Sequence, residues 1–273
     1  MPLTIFPGVL PPPLLPEDVQ AGLRTRCFGH PLVHFTSVRS TNDEVRARAQ
    51  SGAPEGLLVL AEEQTAGRGR YSRHWEAPAG SSLLASLLLR PTFLPADQAF
   101  ALVALAALGV AEAVEQEAAL PAQIKWPNDV LVEGRKVCGI LVELEGQAGR
   151  LEWAVVGWGL NVNVAFGGAP ELRARATSLA EAAGRPLPRL PLLLACLERL
   201  ESHYEAVRAG RAEQVWKGWR ARLSTLGREV EVAAPEGPFS GRALDVAADG
   251  ALLVRREDGR VERVVAGDIA VRS

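Results

Sequence analysis

Two apolar runs with a charged loop between them constrain this chain more than any other feature. GLLVLAEEQTAG (Gly56–Gly67) and SSLLASLLLRP (Ser81–Pro91) both predict strands, the second ended by Pro91. Between them EEQTAGRGRYSRHWEAPAG (Glu62–Gly80) places Arg68, Arg70 and Arg73 around Gly67 and Gly69. Glycines let backbone N–H groups approach an anion, and guanidinium forks match phosphate or carboxylate oxygens. The loop therefore suits a polyphosphate held between two strands. It is neither a GxxxxGK[ST] phosphate loop nor a GxGxxG dinucleotide turn. Taken alone, the GRGR pattern is weak evidence and reads more readily as a solvated basic turn.

The rest of the chain reads as α+β. A proline-broken start (Pro7, Pro11, Pro12, Pro13, Pro16) predicts an extended arm leading to an ordered segment near Glu17 to Arg26. HFTSVRSTNDEVRARAQSG reads as strand, turn and helix, with Thr41 as cap, Glu44 as its capping-box partner and Gly52 just past the helix end. Phe100, Val103, Ala107, Val110 and Val114 recur at helical spacing after Asp97, a candidate cap, which predicts an amphipathic helix on the sheet. DVLVEG, KVCGILVELEG and LEWAVVGWGLNVNV follow as strands, Ser178 and Glu181 form a capping box, and 188–222 reads as mainly helical, with Leu192, Leu193, Cys196 and Leu200 on one face. From Thr225 onward, REVEVAA, FSGRALDVA, ALLVRRE and RVERVVAG alternate like a small β-barrel. Its turns are expected at Pro235–Pro238, Asp249-Gly250 and Asp258-Gly259. These divisions give an arm (1–34), a main domain (35–224) and a closing domain (225–273).

Composition excludes several classes. The chain has 273 residues, 48% hydrophobic and 23% charged, the profile of an ordinary globular protein. A formal net charge of -2 leaves no domain-wide basic footprint for nucleic acid, so an anion site has to be local. Cys27, Cys138 and Cys196 form no CxxC pair and fit a reducing compartment. The start lacks a cationic signal-peptide region, and the apolar run from Ala99 to Ala111 is shorter than the ~18 residues of a membrane span. A cytoplasmic protein without membrane contact is expected.

Two further stretches carry chemistry. In IKWPNDVLVEGRKVCGILVE (Ile124–Glu143), Lys125 precedes a Trp-Pro-Asn-Asp turn, and Lys136 precedes a strand containing Gly139, where something must come close to the backbone. Ordinary turn chemistry and an edge-guarding lysine account for the same residues. In GWGLNVN, Asn161 and Asn163 share one face of a Gly-rich strand and either read a base or satisfy backbone. Together, RSTN, EEQTAGRGRYSRHW, KWPNDVLVEGRKVCGILVE, GWGLNVN, ATSL and the closing barrel resemble, in order, the biotin protein ligases. The resemblance covers the chain from about Phe35 to its end.

That resemblance implies a class II synthetase-like mixed sheet with flanking helices and an SH3-like C-terminal barrel. It implies an enzyme that joins biotin to ATP as biotinyl-5'-AMP with release of pyrophosphate, then transfers biotin to a lysine of a biotin carboxyl-carrier domain of acetyl-CoA carboxylase. Biotin, ATP and Mg²⁺ are the implied small-molecule partners, with no permanently bound cofactor. By the same resemblance Ser40, Thr41, Asn42 and Gln64 bind biotin, with Gly67, Arg68, Lys136 and Gly139 around the same pocket. Arg70, Arg73, Trp75, Lys125, Asn128 and Asn161 meet ATP. Lys136, Arg68 and Arg70 are the implied catalytic cations, and Asp129 is a candidate aid to deprotonating the acceptor lysine. Sheet-to-sheet pairing into a homodimer is implied as well. His74 has opposite parity to Arg73 and Trp75 and reads as structural or solvent-facing.

The cation count has a chemical reason. A carboxylate attacking the α-phosphorus of ATP requires two anions in contact, and cations offset both that repulsion and the charge on the departing pyrophosphate. Tyr71-Ser72 stand where the family usually has a large residue followed by glycine, which predicts a stiffer loop, and Trp158 replaces a smaller residue. The 39 residues before Ser40 hold no basic recognition helix, so no nucleic-acid partner is expected. A lipoate protein ligase-like adenylating enzyme and a non-catalytic biotin- or nucleotide-binding regulator are the alternative readings.

Overall fold

The computed structural model describes residues 3–7, 12–234, 237–265 and 268–271. Its centre is a seven-stranded sheet of β1 (Leu32–Val38), β2 (Leu58–Gln64), β3 (Ser82–Leu89), β4 (Ala122–Lys125), β5 (Asp129–Val132), β6 (Arg135–Gln147) and β7 (Arg150–Asn161), in the order β1-β2-β3-β7-β6-β5-β4. β1 and β2 are parallel and the other neighbours antiparallel, so the sheet is mixed. The expected arm holds a short helix, α1 (Pro16–Gly22), which Pro16 starts where a missing N–H costs nothing. α2 (Thr41–Gln50) links the parallel strands β1 and β2.

Side chains alternate between faces along each strand, and the sheet accordingly has two apolar layers. One layer joins Val45 and Ala49 of α2 to Val59, Leu88, Trp153 and Val155. The larger layer joins Leu58, Leu60, Leu83, Leu87, Val156 and Trp158 to α3 (Phe100–Ala118). α4 (Arg189–Arg208) and α5 (Ala212–Ala221) pack over α3.

Helix α3 departs from expectation in two ways. It is buried on nearly every side rather than amphipathic, from Ala104 through Ala111 without interruption, because α4 and α5 cover the face that would otherwise meet water. Gly109 lets α4 approach, since a Cβ there would sit 2.5 Å from Leu200 Cδ1. Asp97 does not cap it: a 3₁₀ turn over Ala96–Gln98 intervenes and the cap position is Ala99. With that turn, 96–118 is long and apolar enough to cross a membrane, beyond the run counted from sequence, yet it lies at the centre of the fold.

The chain closes in a five-stranded antiparallel sheet of β8 (Glu229–Ala234), β9 (Gly237–Val246), β10 (Leu252–Arg255), β11 (Val261–Val264) and β12 (Asp268–Val271), in the order β11-β10-β9-β8-β12. β12 is a fifth strand beyond the four that alternation marks. The turns at Asp249-Gly250 and Asp258-Gly259 fall as expected, with Gly250 at φ +88° and Gly259 at φ +85°. The turn expected at Pro235–Pro238 begins at 235–236, outside the described residues, and Pro238 lies in β9.

A buried ion pair ties the arm to the sheet. Arg189, 3% exposed, reaches Glu62 at 2.7 Å and donates to the Pro12 carbonyl at 2.7 Å, while Glu62 accepts from Leu14 N–H at 2.8 Å. Residues Thr4–Ile5 pair antiparallel with Val164–Ala165.

Candidate active site

A cavity of about 740 Å³ opens where α2, the arginine loop, the turn between β4 and β5, and the C-terminal sheet meet. Small residues create the space. Gly159 and Gly139 face each other across β7 and β6, and the Trp75 ring lies over both: a Cβ on Gly159 would fall 2.5 Å from Trp75 Cε2, and one on Gly139 3.2 Å from Trp75 Cζ3. Gly157, two residues earlier on the same face, leaves room for the Asn42 amide, with which any Cβ would collide.

At one end stand Ser40, Thr41 and Asn42, all buried, at the mouth of α2. The capping expected of Thr41 and Glu44 is replaced here. Ser40 is the cap residue and its side chain makes no cap bond; Thr41 lies inside the helix and donates both its N–H (2.8 Å) and its hydroxyl (3.1 Å) to Gln64 Oε1; Glu44 pairs with Arg48. Cavity chemistry thus overrides capping chemistry at this helix start. Gly52 has φ +85° just past the helix, as expected. Asn42 donates to Glu143 Oε2 at 2.7 Å, and its Oδ1 lies 2.6 Å from Ser86 Oγ, which is also 2.7 Å from Thr41 Oγ1.

The cations are not equivalent. Arg68 lines the cavity, but its Nη2 lies between Asp43 Oδ1 at 2.8 Å and Glu143 Oε2 at 2.9 Å, so its charge is already matched by two carboxylates. Arg70 crosses the cavity, donating to Asn128 Oδ1 at 3.1 Å and to the Tyr71 hydroxyl at 2.9 Å, with the Tyr71 ring 4.9 Å below its guanidinium. Tyr71 sits at φ +54°, a left-handed conformation that costs a side-chain-bearing residue roughly 1–2 kcal/mol. Lys136 Nζ is 2.7 Å from Asp129 Oδ1 and 5.5 Å from the centre of the Trp75 ring. Lys125, Arg73 and Arg175 complete the positive lining.

Of the sequence-predicted residues, Ser40, Thr41, Asn42, Gln64, Arg68, Arg70, Arg73, Trp75, Lys125, Asn128, Asp129, Lys136 and Gly139 converge on this one cavity. Gly67 and Asn161 stand behind it. Gly67 pairs with Trp75 in a two-residue ladder, and Asn161 is buried and donates to the Thr177 carbonyl at 3.2 Å. Asn163 likewise serves backbone, bonding both the N–H and the carbonyl of Leu187 at 2.9 Å. His74 is exposed and on the cavity rim. Trp158 belongs to the core face, with its Nε1 lacking a hydrogen-bond partner among the described residues.

Sequence reasoning missed Asp43, Glu143, Ser86, Gly157 and Arg175, together with Ile269 and Ala270 from β12. Ser86 had a signal: it is a polar residue inside the apolar run of β3. Cys138 sits beside Gly139, but burial pushes its thiol well above the ordinary range and favours the neutral form. Among the described residues no group of three or more His, Cys, Asp or Glu side chains could hold a metal ion, and Asp129 is the acidic side chain on the cavity wall.

The mixed sheet, the cation-lined cavity and the small appended sheet make up a class II synthetase-like ligase architecture. Residues 34–161 match the biotin/lipoate A/B protein ligase family, and residues 225–272 match the biotin protein ligase C terminal domain. The chain is similar to the bifunctional ligase/repressor BirA of Bacillus subtilis, 34% identical over 260 residues, covering 95% of this chain and 79% of that protein. It is 37% identical to the biotin--[acetyl-CoA-carboxylase] ligase of Mycobacterium tuberculosis, covering 84% and 85% of the two chains. In structure it resembles the biotin protein ligase from Aquifex aeolicus in complex with biotin and ATP, with a TM-score of 0.75 and 29% identity, covering 88% and 98%. The chain belongs to the biotin protein ligase family.

Proposed function

We propose that this protein activates biotin with ATP to biotinyl-5'-AMP, releasing pyrophosphate, and passes the biotinyl group to one lysine of a biotin carboxyl-carrier domain of acetyl-CoA carboxylase. One observation carries the reading: a neutral polar pocket (Ser40, Thr41, Asn42, Gln64) and a cationic wall (Arg70, Arg73, Lys125, Lys136) line the same cavity. The first suits the ureido head of biotin, which both donates and accepts hydrogen bonds. The second suits its carboxylate beside a triphosphate.

In the first step an oxygen of the biotin carboxylate attacks the α-phosphorus, and the bond to the bridging oxygen of pyrophosphate breaks. Lys136 is placed to hold carboxylate and α-phosphate together, and Arg70, Lys125 and Asn128 to hold the departing phosphates. Arg68 we assign to holding the pocket: bonded to Asp43 and Glu143, it braces the helix mouth that carries Ser40–Asn42. Mg²⁺ accompanying ATP would offset the charge developing on the departing phosphates, and Asp129 is the cavity-wall carboxylate that would stand nearest to hold it. In the second step the neutral amine of the acceptor lysine attacks the acyl carbon and AMP leaves. Asp129 faces this step already bound to Lys136, so its larger contribution is to orient that lysine. We assign residues 35–224 to the catalytic domain, 225–273 to the closing domain, and the reaction to the cytoplasm.

The test is pyrophosphate release from ATP on adding biotin, with lipoate in parallel. Release with biotin and none with lipoate is expected. Equal release with both points to the lipoate ligase reading, and binding of biotin with no release points to the regulator.

A further inference from the structure

The turn that follows β4 is held from two sides. On the inner side Asn128 and Ile140 of β6 exchange hydrogen bonds, Asn128 Nδ2 to the Ile140 carbonyl at 2.6 Å and Ile140 N–H to the Asn128 carbonyl at 3.0 Å. The outer hold comes from the far end of the sequence. Trp126, 2% exposed, donates its indole Nε1–H to the Gly250 carbonyl at 2.9 Å and its backbone N–H to Thr225 Oγ1 at 3.2 Å. The segment leading into the C-terminal sheet lies along the free edge of β4: Ile124 N–H donates to the Arg222 carbonyl at 2.8 Å, and Ser224 N–H to the Ile124 carbonyl at 2.9 Å.

Gly250 is seated where no other residue fits. Its φ is +88°, and any Cβ would collide with the Phe100 ring. Phe100 in turn stacks on Trp216 with centroids 5.9 Å apart and meets Trp219 edge-on at 5.5 Å. The turn at 249–250 is thereby wedged against α3 and α5, and its carbonyl points at the indole. β12 of the same sheet brings Ile269 and Ala270 to the cavity wall.

We propose that Thr225 and Gly250 are positioning residues for the ligase reaction: through Trp126 they fix the turn that carries Lys125, Asn128 and Asp129, and so set the ATP half of the cavity. This rests on the ligase reading above. Reacting atoms have to meet at ~3–3.5 Å, so a small drift of this turn is felt in the chemistry. The biotin half is built on α2, β2 and β3, with Glu143 of β6 and Gly157 of β7 behind Asn42, and its hydrogen bonds do not pass through Trp126. The two substrates should therefore respond differently when the outer hold is removed.

The experiment measures biotin-dependent pyrophosphate release by the full chain against ATP and against biotin, for wild type, Thr225→Val, Thr225→Ser and Trp126→Phe, with melting curves for each. Valine keeps the shape of threonine and removes the acceptor; serine keeps it; phenylalanine keeps a ring in the core and removes the indole donor. Expected is a roughly five- to tenfold rise in KM for ATP in Thr225→Val and Trp126→Phe, the size of one lost hydrogen bond, with KM for biotin within about twofold of wild type and Thr225→Ser restored. If Thr225→Val does not fold, Trp126→Phe decides by the same criterion. A wild-type protein that releases no pyrophosphate refutes the ligase reading. An active wild type whose variants keep KM for ATP, raise both KM values together, or lose only kcat overturns the positioning role.

Discussion

Replacing Lys136 with glutamine removes one positive charge from the cavity and keeps a polar side chain one bond shorter. Its Nζ stands 2.7 Å from Asp129 Oδ1 and beneath the Trp75 ring, with the side chains of Lys136 and Asp129 33% and 25% exposed. A unit charge acting on another about 4 Å away contributes ~4 kcal/mol at the effective dielectric of a protein surface, and partial exposure lowers this through solvent screening. A loss of ~3–4 kcal/mol of transition-state stabilisation corresponds to a roughly 10²- to 10³-fold slower adenylation step. Single-turnover pyrophosphate formation at saturating biotin and ATP measures it. Asp129→Asn adds a second constraint: if Asp129 works by orienting Lys136, the double variant is no slower than Lys136→Gln alone. A Lys136→Gln enzyme within about fivefold of wild type would refute the reasoning.

Three further outcomes follow from the geometry. Gly157→Ala forces a methyl group into the Asn42 amide, which Glu143 and Ser86 hold in place, so KM for biotin should rise roughly five- to 150-fold, the scale of 1–3 kcal/mol of overpacking; calorimetric biotin affinity equal to wild type would contradict this. Arg189→Met takes from Glu62 its arginine partner, leaving it the Leu14 N–H and His34 Nε2 at 3.3 Å, and strips a donor from the Pro12 carbonyl, a loss of ~3 kcal/mol that should lower Tm by roughly 5–10 °C; a drop under about 2 °C in scanning calorimetry would count against it. Burial alone would raise the Glu62 carboxyl pKa, but hydrogen bonds from Leu14 N–H and Arg189 outweigh it and hold the group below its ordinary value of 4.5. That contribution is present above the ordinary value and lost as pH falls through the depressed one, so the stability gap between wild type and Glu62→Gln should narrow on going from about pH 6 to about pH 3 in urea titrations. A gap independent of pH would show that the charge of Glu62 is not involved.

What could be read from the sequence was whatever local spacing controls. Strands β2 and β3, the arginine loop between them and the turn at 126–129 follow from apolar runs and their breakers, and those segments bring Gln64, Arg68, Arg70, Arg73, Trp75 and Asn128 to the cavity. Ser178 also behaves as its spacing indicates, accepting from Glu181 N–H at 3.1 Å. Non-local partners were hidden. Thr41 reads as a cap because nothing in RSTNDE announces that Gln64, on the next strand, will take its donors. Arg68 reads as a free cation because Asp43 and Glu143 are brought to it by α2 and β6, elements with no sequence proximity to the loop. For Asn161 the sequence leaves base reading and backbone satisfaction open, and the fold gives its amide to the Thr177 carbonyl. Helix α3 shows the same limit: periodicity gives its existence, while burial on nearly every side depends on α4 and α5, far later in the chain.

The most direct test of the central claim is to incubate the protein with biotin, Mg·ATP and an acetyl-CoA carboxylase carrier domain and to weigh the carrier by intact mass spectrometry. A gain of one biotinyl group, confined to a single lysine and absent when either biotin or ATP is withheld, is the expected result. A carrier of unchanged mass under these conditions would contradict the assignment of this cavity to biotin transfer.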